Sequence, residues 1–229
     1  MLNRAVVVAL WLLGAVTIAR VGVLYAAMFT MSTGTVPVAW GWDNLRLSLW
    51  YTVPVLGILA VHEGGHWWAA RSYGVKTWGP YLVPWPMALA VHLPWLPALG
   101  TLGAGLRFKG ALPSAVAEWD IAFTGLCAGM AATVACTLLG AYWSVPVTGR
   151  GPWSRFWVPR VVSLVAGEGV AYHPLLMAAR LGWALGVFSL IPIRPFDGGR
   201  LLWNVVDVWG ARRWQVWTFA ALCACCWVY

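Results

Sequence analysis

The sequence predicts an all-α membrane protein: a polytopic helical bundle with about five transmembrane helices and a Pro/Gly-rich re-entrant or hairpin segment over 77–112. Three observations predict it. Of the 229 residues, 61% are apolar and 10% charged, against ~45–50% and ~25% in a typical soluble domain. Mean hydropathy is +0.74. There are 19 Trp, a residue that gathers at membrane interfaces because its ring is apolar and its N–H needs a polar partner. This balance excludes an ordinary soluble globular domain and a disordered chain.

The spans follow in order. Arg4 precedes an apolar run over 5–31 that continues past Arg20. It is too long for the ~7–15-residue core of a secretory signal, so it reads as a first transmembrane helix. Further spans are 47–70, 118–143, 174–192 and 212–229, each near the ~20 residues that cross hydrocarbon at ~1.5 Å per residue. Between the second and third, 77–112 is apolar but broken by Pro80, Pro84, Pro86, Pro94 and Pro97, with Gly100, Gly103 and Gly105 after them. A helix does not persist through that density of proline. Irregular backbone at membrane depth survives only against protein or a wet cavity, so this stretch reads as a hairpin on the bundle. The most solvent-like stretch is 144–172, with Arg150, Arg155, Arg160 and Glu168. No repeat or long linker interrupts the chain, and 1–229 is expected to be one integral-membrane core without a soluble accessory domain.

Formal charge is +8, from 15 Lys and Arg against 7 Asp and Glu. The basic residues are scattered among apolar segments rather than gathered on one stripe. They therefore read as topogenic, and nucleic acid is not expected as a partner. Alternating spans place nine of them on one side (Arg4, Arg71, Lys76, Arg107, Lys109, Arg194, Arg200, Arg212 and Arg213) and four on the other (Arg46, Arg150, Arg155 and Arg160). The richer side is expected to be cytoplasmic, with the N-terminus on it. Cys127, Cys136, Cys223, Cys225 and Cys226 all lie in apolar stretches. An odd number without extracellular spacing argues for packing rather than a disulfide framework or a redox pair.

The chemistry gathers at the end of the second span, in His62-Glu63-Gly64-Gly65-His66. Residues four apart on a helix share a face, so two imidazoles meet one metal ion there. Glu63 stands beside them as a general base for a water on that ion. Zn²⁺ suits the set, since it takes tetrahedral nitrogen and oxygen ligands and lowers the pKa of its water to ~7. From this composition the motif arises by chance with odds of roughly one in a thousand. Ionisable groups in a bilayer also mark functional sites by default. A catalytic zinc takes three protein ligands. His92 and His173 are the other histidines, but Asp197 is the stronger candidate. It follows the prolines of Ile191-Pro192-Ile193-Arg194-Pro195-Phe196 and precedes Gly198 and Gly199, which allow close backbone approach. Alternation puts it on the same side as the histidine pair. The plainer reading of Asp197 is a helix N-cap.

These residues resemble the site-2 protease family of intramembrane zinc metalloproteases, in the branch found in archaea, cyanobacteria and plant plastids. The likeness covers roughly 50–210. It runs through VHEGGHWWAARSYGVK, LGTLGAGLRFKG, AVAEWDIAFTGLCAG and HPLLMAARLGWALGVFSLIPIRPFDGGRLLWNVVDVWG. The resemblance implies zinc ligands at His62, His66 and Asp197 and a catalytic base at Glu63. It also exposes departures. Ser189 stands where the branch usually has an Asn that helps hold substrate or an oxyanion. Thr124-Gly125-Leu126 replaces an Ala-Gly-Pro, and Arg200 replaces a frequent His. None removes a metal ligand or the base.

Other residues take quieter roles. Glu118 and Asp120 open the third span, where a helix dipole favours acids. Arg20 and Arg180 lie inside spans, where they snorkel or line a wet cavity. Arg194 reads as a phosphate-level or cytoplasmic anchor more than as a partner for a substrate carbonyl, and Trp67, Trp68, Trp203 and Trp209 as belt and packing. The backbone around Gly103 offers either a strand edge to an unwound substrate or a hairpin face to the bundle. The function expected is an intramembrane zinc metalloendopeptidase, binding one Zn²⁺, with membrane lipid and a transmembrane protein substrate as partners. Ser189 and Gly103 are its candidate substrate or oxyanion contacts. A metal transporter and a proteolytically silent scaffold retaining the zinc site are the rival classes.

Overall fold

The computed structural model describes residues 4–34, 41–85, 100–147, 164–166, 170–193, 196–209 and 213–227. Three helices in it are long and apolar enough to cross a membrane: α1 (Arg4–Ser32), α2 (Trp42–Ser72) and α3 (Ala115–Tyr142). At 29, 31 and 28 residues each exceeds the ~20 needed. The apolar stretches 174–192 and 212–229 form shorter helices, α4 (Pro174–Ser189) and α6 (Arg213–Trp227), joined through α5 (Asp197–Val208). At 16 and 15 residues they reach ~24 and ~22 Å, less than a ~30 Å hydrocarbon layer. α4 starts on Pro174 with His173 as its N-cap, and stops before Pro192.

The Pro/Gly-rich segment is a hairpin, so a small sheet sits on the helical bundle. β1 (Thr77–Pro84) pairs antiparallel with β2 (Thr101–Phe108), with Leu82 opposite Ala104 and Val83 opposite Gly103. Side chains of α1 hold it: Trp11 Nε1 donates to the Pro80 carbonyl at 2.9 Å, and Thr17 Oγ1 to the Gly100 carbonyl at 2.7 Å. Gly100 has φ +80°, and a Cβ there would lie 2.9 Å from Ile18 Cα, so only glycine brings the strand entry this close to the helix. Non-helical backbone is thus packed on protein, as a bilayer demands. The residues between the strands, with His92, lie outside the described residues. A second ladder, β3 (Val145–Pro146) with β4 (Val170–Ala171), ties together the ends of the polar 144–172 stretch.

Two larger apolar clusters, with a smaller one of Ala69, Ala70 and Ile121, hold the helices among the described residues. Tyr25, Tyr51, Val55, Leu176 and Leu181 join α1, α2 and α4. Trp119, Phe123, Leu201, Val208 and Phe219 join α3, α5 and α6, where Trp119 Nε1 donates to Gln215 Oε1 at 2.9 Å. Small residues let the backbones close in, which is how helices associate without a hydrophobic drive inside lipid. Gly65 of α2 crosses Gly125 of α3 so tightly that a Cβ would lie 2.9 Å from its Cα. Arg180 neither snorkels nor reaches a surface: it is 3% exposed, and its Nη1 donates to the Tyr25 hydroxyl at 3.3 Å. Arg20 is exposed on α1, and Arg194 lies outside the described residues.

Candidate active site

The site forms where the C-terminal half of α2, the N-terminal half of α3 and the start of α5 meet. The 3.6-residue period stacks His62 over His66, with ring centroids 4.7 Å apart and Nε2 atoms 3.1 Å apart. His66 Nδ1 lies 2.8 Å from the Ile121 carbonyl of α3 and so carries the proton it donates. Its Nε2 lone pair is left facing His62, the arrangement by which a partner orients a metal-binding imidazole. Asp197 is the first residue of α5. It does not cap the helix, because Phe196 holds that position. Its Oδ2 lies 3.4 Å from His62 Nε2 and 3.3 Å from His66 Nε2. Burial pushes the Asp197 carboxyl up, but His66 and His62 beside it overcome that and hold it well below the usual carboxylate range.

Three electron-rich atoms thus converge on one point, which costs energy unless a cation occupies it. Their separations match the ~3.3 Å edge of a tetrahedron built on ~2.0–2.1 Å bonds. The three groups form the one His/Cys/Asp/Glu cluster suited to a metal ion among the described residues. Glu63 is 4% exposed, and its Oε2 has no hydrogen-bond partner among the described residues. An orphaned buried carboxylate oxygen is expensive away from function. It lines a cavity of about 640 Å³ shared with His62, His66, Asp197, Ser189 and Arg200.

The other sequence candidates separate. Ser189, the last residue of α4, lines this cavity and also a smaller one beside it. Gly103 has φ +117° and lines the smaller cavity. Its N–H donates to Thr101 Oγ1 at 3.0 Å, so it contributes room rather than a free amide. Arg200 lies over the Phe108 ring, 5.0 Å from its centroid. Asp120 accepts the Tyr73 hydroxyl and ties the end of α2 to the start of α3. His173 is at the far end of α4, ~24 Å away along the helix. There its Nδ1 accepts from the Leu175 amide at 3.3 Å, and its ring meets Phe29, Trp50 and Trp143. Burial in that aromatic setting lowers its pKa to about 4.

Sequence reasoning missed the residues that position the ligands. A Cβ on Gly129 would lie 2.7 Å from His62 Nδ1, and one on Gly125 would overlap the His66 ring. The two glycines repeat at the same four-residue spacing as the histidines they face. Gly125-x-x-x-Gly129, like Gly182-x-x-x-Gly186 in α4, is the small-residue signature of close helix pairs, and that signal was present in the sequence. Gly198 works likewise beside Asp197. A Cβ there would run into the Leu190 backbone, so its lack of a side chain lets α5 start against the end of α4.

Residues 50–223 match peptidase family M50. The protein titled "Probable zinc metalloprotease EGY1, chloroplastic" of Arabidopsis thaliana is 30% identical over 161 residues, 64% of this chain and 27% of that one. The Arabidopsis protein titled "Probable zinc metalloprotease EGY2, chloroplastic" is 25% identical over 207 residues, 81% of this chain and 34% of that one. The chain thus spans about a quarter to a third of the length of these curated relatives. Among solved structures, the site-2 protease from Methanocaldococcus jannaschii is similar at TM-score 0.37 and 13% identity, covering 91% of this chain and 86% of that one.

Proposed function

The chain belongs to peptidase family M50, and from that premise we propose that it is an intramembrane zinc metalloendopeptidase that cuts a transmembrane segment of a membrane-protein substrate. The observation that carries this reading is the convergence of His62 Nε2, His66 Nε2 and Asp197 Oδ2 beside the buried Glu63, whose Oε2 has no hydrogen-bond partner among the described residues. His62, His66 and Asp197 are the groups that would hold zinc, which supplies Lewis acidity toward the scissile carbonyl when bound.

The chain's own residues do the rest. Glu63 takes the proton of the attacking water and returns it to the leaving amide nitrogen, so one carboxylate serves both steps. Its burial keeps bulk water from competing for that proton. The Ser189 hydroxyl, facing the same cavity as His62, donates to the oxygen that gains charge as the carbonyl becomes tetrahedral. A substrate helix has its amides sealed in internal bonds and must unwind before it is cut. β2, with Leu102, Ala104 and Gly105 along the large cavity, gives the unwound segment a strand to lie against. The active site and N-terminus face the cytoplasmic side, as the basic-residue asymmetry argues.

The test is zinc content and cleavage of a synthetic transmembrane peptide by the purified chain, beside Glu63→Gln. The reading expects one zinc in both proteins and cleavage by the parent alone. Equal cleavage by Glu63→Gln removes the proposed mechanism. One zinc in both with cleavage in neither turns the assignment toward a silent scaffold.

A further inference from the structure

A second cavity, of about 120 Å³, adjoins the catalytic one and shares His62, Ser189 and Phe196 with it. It lies between α3 and α4, under β2. The mechanism above uses His62 and Ser189 of its lining but assigns no substrate side chain to it. Its position decides what it meets: any chain laid between the metal ligands and β2 passes its mouth. Its walls decide what enters. Leu126, Met130 and Leu185 are apolar, and Gly129, Gly182 and Gly186 present no side chain. The hydroxyl of Thr133, also in the wall, is already spent on the Gly129 carbonyl at 2.9 Å. Away from His62 and Ser189 the cavity therefore has little to offer a polar group, and burying one there without a partner is costly.

We propose that this cavity is the specificity subsite of the enzyme, taking one aliphatic side chain of the substrate next to the scissile bond and rejecting aromatic ones. The inference rests on the peptidase reading and adds the substrate class. Size carries the aromatic limit: the cavity is about 120 Å³, smaller than an apolar cavity of about 150 Å³ that admits a benzene ring. Met130 sets the limit. It is 7% exposed, and its thioether is the most adaptable wall a pocket has. A Cβ on Gly186 would lie 2.6 Å from its Sδ, so a methyl at 186 drives the sulfur into the cavity, while shortening residue 130 opens it.

The test uses the full chain in detergent micelles with its zinc. The probes are synthetic transmembrane peptides of Leu and Ala with a central Asn-Gly to loosen the helix. The residue beside the mapped cleavage point is varied through Ala, Leu, Phe and Trp. Pairs of peptides compete in one tube, so only ratios are read and the folded fraction of a variant cancels. The parent should cut the Leu peptide at least about tenfold faster than the Phe peptide. Met130→Ala should bring Phe to within about twofold of Leu. Gly186→Ala should move the other way, favouring Ala over Leu. Ratios unchanged in both variants overturn the subsite. A separate readout needs no turnover: a peptide with photo-leucine at that position, irradiated with the protein, should label Leu126, Met130 or Leu185. Cleavage of no peptide together with this labelling sinks the peptidase reading and keeps the pocket. Labelling elsewhere sinks the pocket.

Discussion

The replacement of Gly129 by Ala tests how the histidines are held. In an isolated helix this change is favourable, because Ala exceeds Gly in helix propensity by up to ~1 kcal/mol. Here the new methyl carbon would lie 2.7 Å from His62 Nδ1, 3.0 Å from its Cβ and 3.1 Å from its Cγ, where ordinary contact begins at 3.4 Å. The shortfall at Nδ1 is about 0.7 Å, and the Cβ contact means that ring rotation alone does not relieve it. Either the imidazole tilts or α2 and α3 separate by several tenths of an ångström. Metal–ligand distances tolerate only about ±0.2 Å, and loss of a group that orients a ligand typically costs ~10–100-fold in metal affinity. Gly129→Ala should therefore weaken zinc binding by at least about tenfold, read by competition with a chelating dye. Gly125→Ala, which overlaps the His66 ring, should weaken it more. Gly64→Ala is the control. Nothing lies within 4 Å of a Cβ at that position of α2, so zinc affinity should match the parent. Gly129→Ala binding zinc within twofold of the parent would refute the glycine-contact argument.

Four further outcomes follow from the same geometry. Asp197→Ala should lose stoichiometric zinc by elemental analysis, since it removes the one anionic ligand; full retention would place the third ligand elsewhere. Gly198→Ala should weaken zinc binding as Gly129→Ala does, because its Cβ meets the Leu190 backbone and moves the start of α5. Ser189→Ala should lower kcat by about 10²-fold if its hydroxyl stabilises the oxyanion, with zinc content unchanged; a parental rate would assign Ser189 to packing. His173 is held neutral in the fold, with its pKa lowered from 6.5 to about 4 by burial. The unfolded chain takes up that proton first, so the contribution of His173 to stability should be constant above pH 6.5 and fall as pH drops from there to about 4. His173→Asn keeps an N-cap oxygen and should flatten that slope in thermal unfolding.

Much of the architecture was legible because a bilayer writes its demands on a chain one element at a time. Length and hydropathy mark α1, α2 and α3, and a run of prolines marks the place where helix gives way to hairpin. The helical repeat places His62 and His66 on one face, with Glu63 beside them. Pro174–Ser189 is apolar and buried over its first nine residues, and at 16 residues is shorter than the three long helices. Of the two readings of Arg180, snorkelling fails, because the side chain is 3% exposed with its Nη1 on the Tyr25 hydroxyl.

What the sequence determined by itself is local: the spans, the break at 77–112 and the helical pairing of the two imidazoles, all set by periods of a few residues. Tertiary structure decided how these meet. It set Asp197 within 3.4 Å of imidazoles more than a hundred residues earlier, placed Gly125 and Gly129 under the rings, and left a small apolar cavity between α3 and α4. Those features depend on how closely two backbones approach. That distance is the sum of side-chain volumes on both partners, and no window along one segment contains the other.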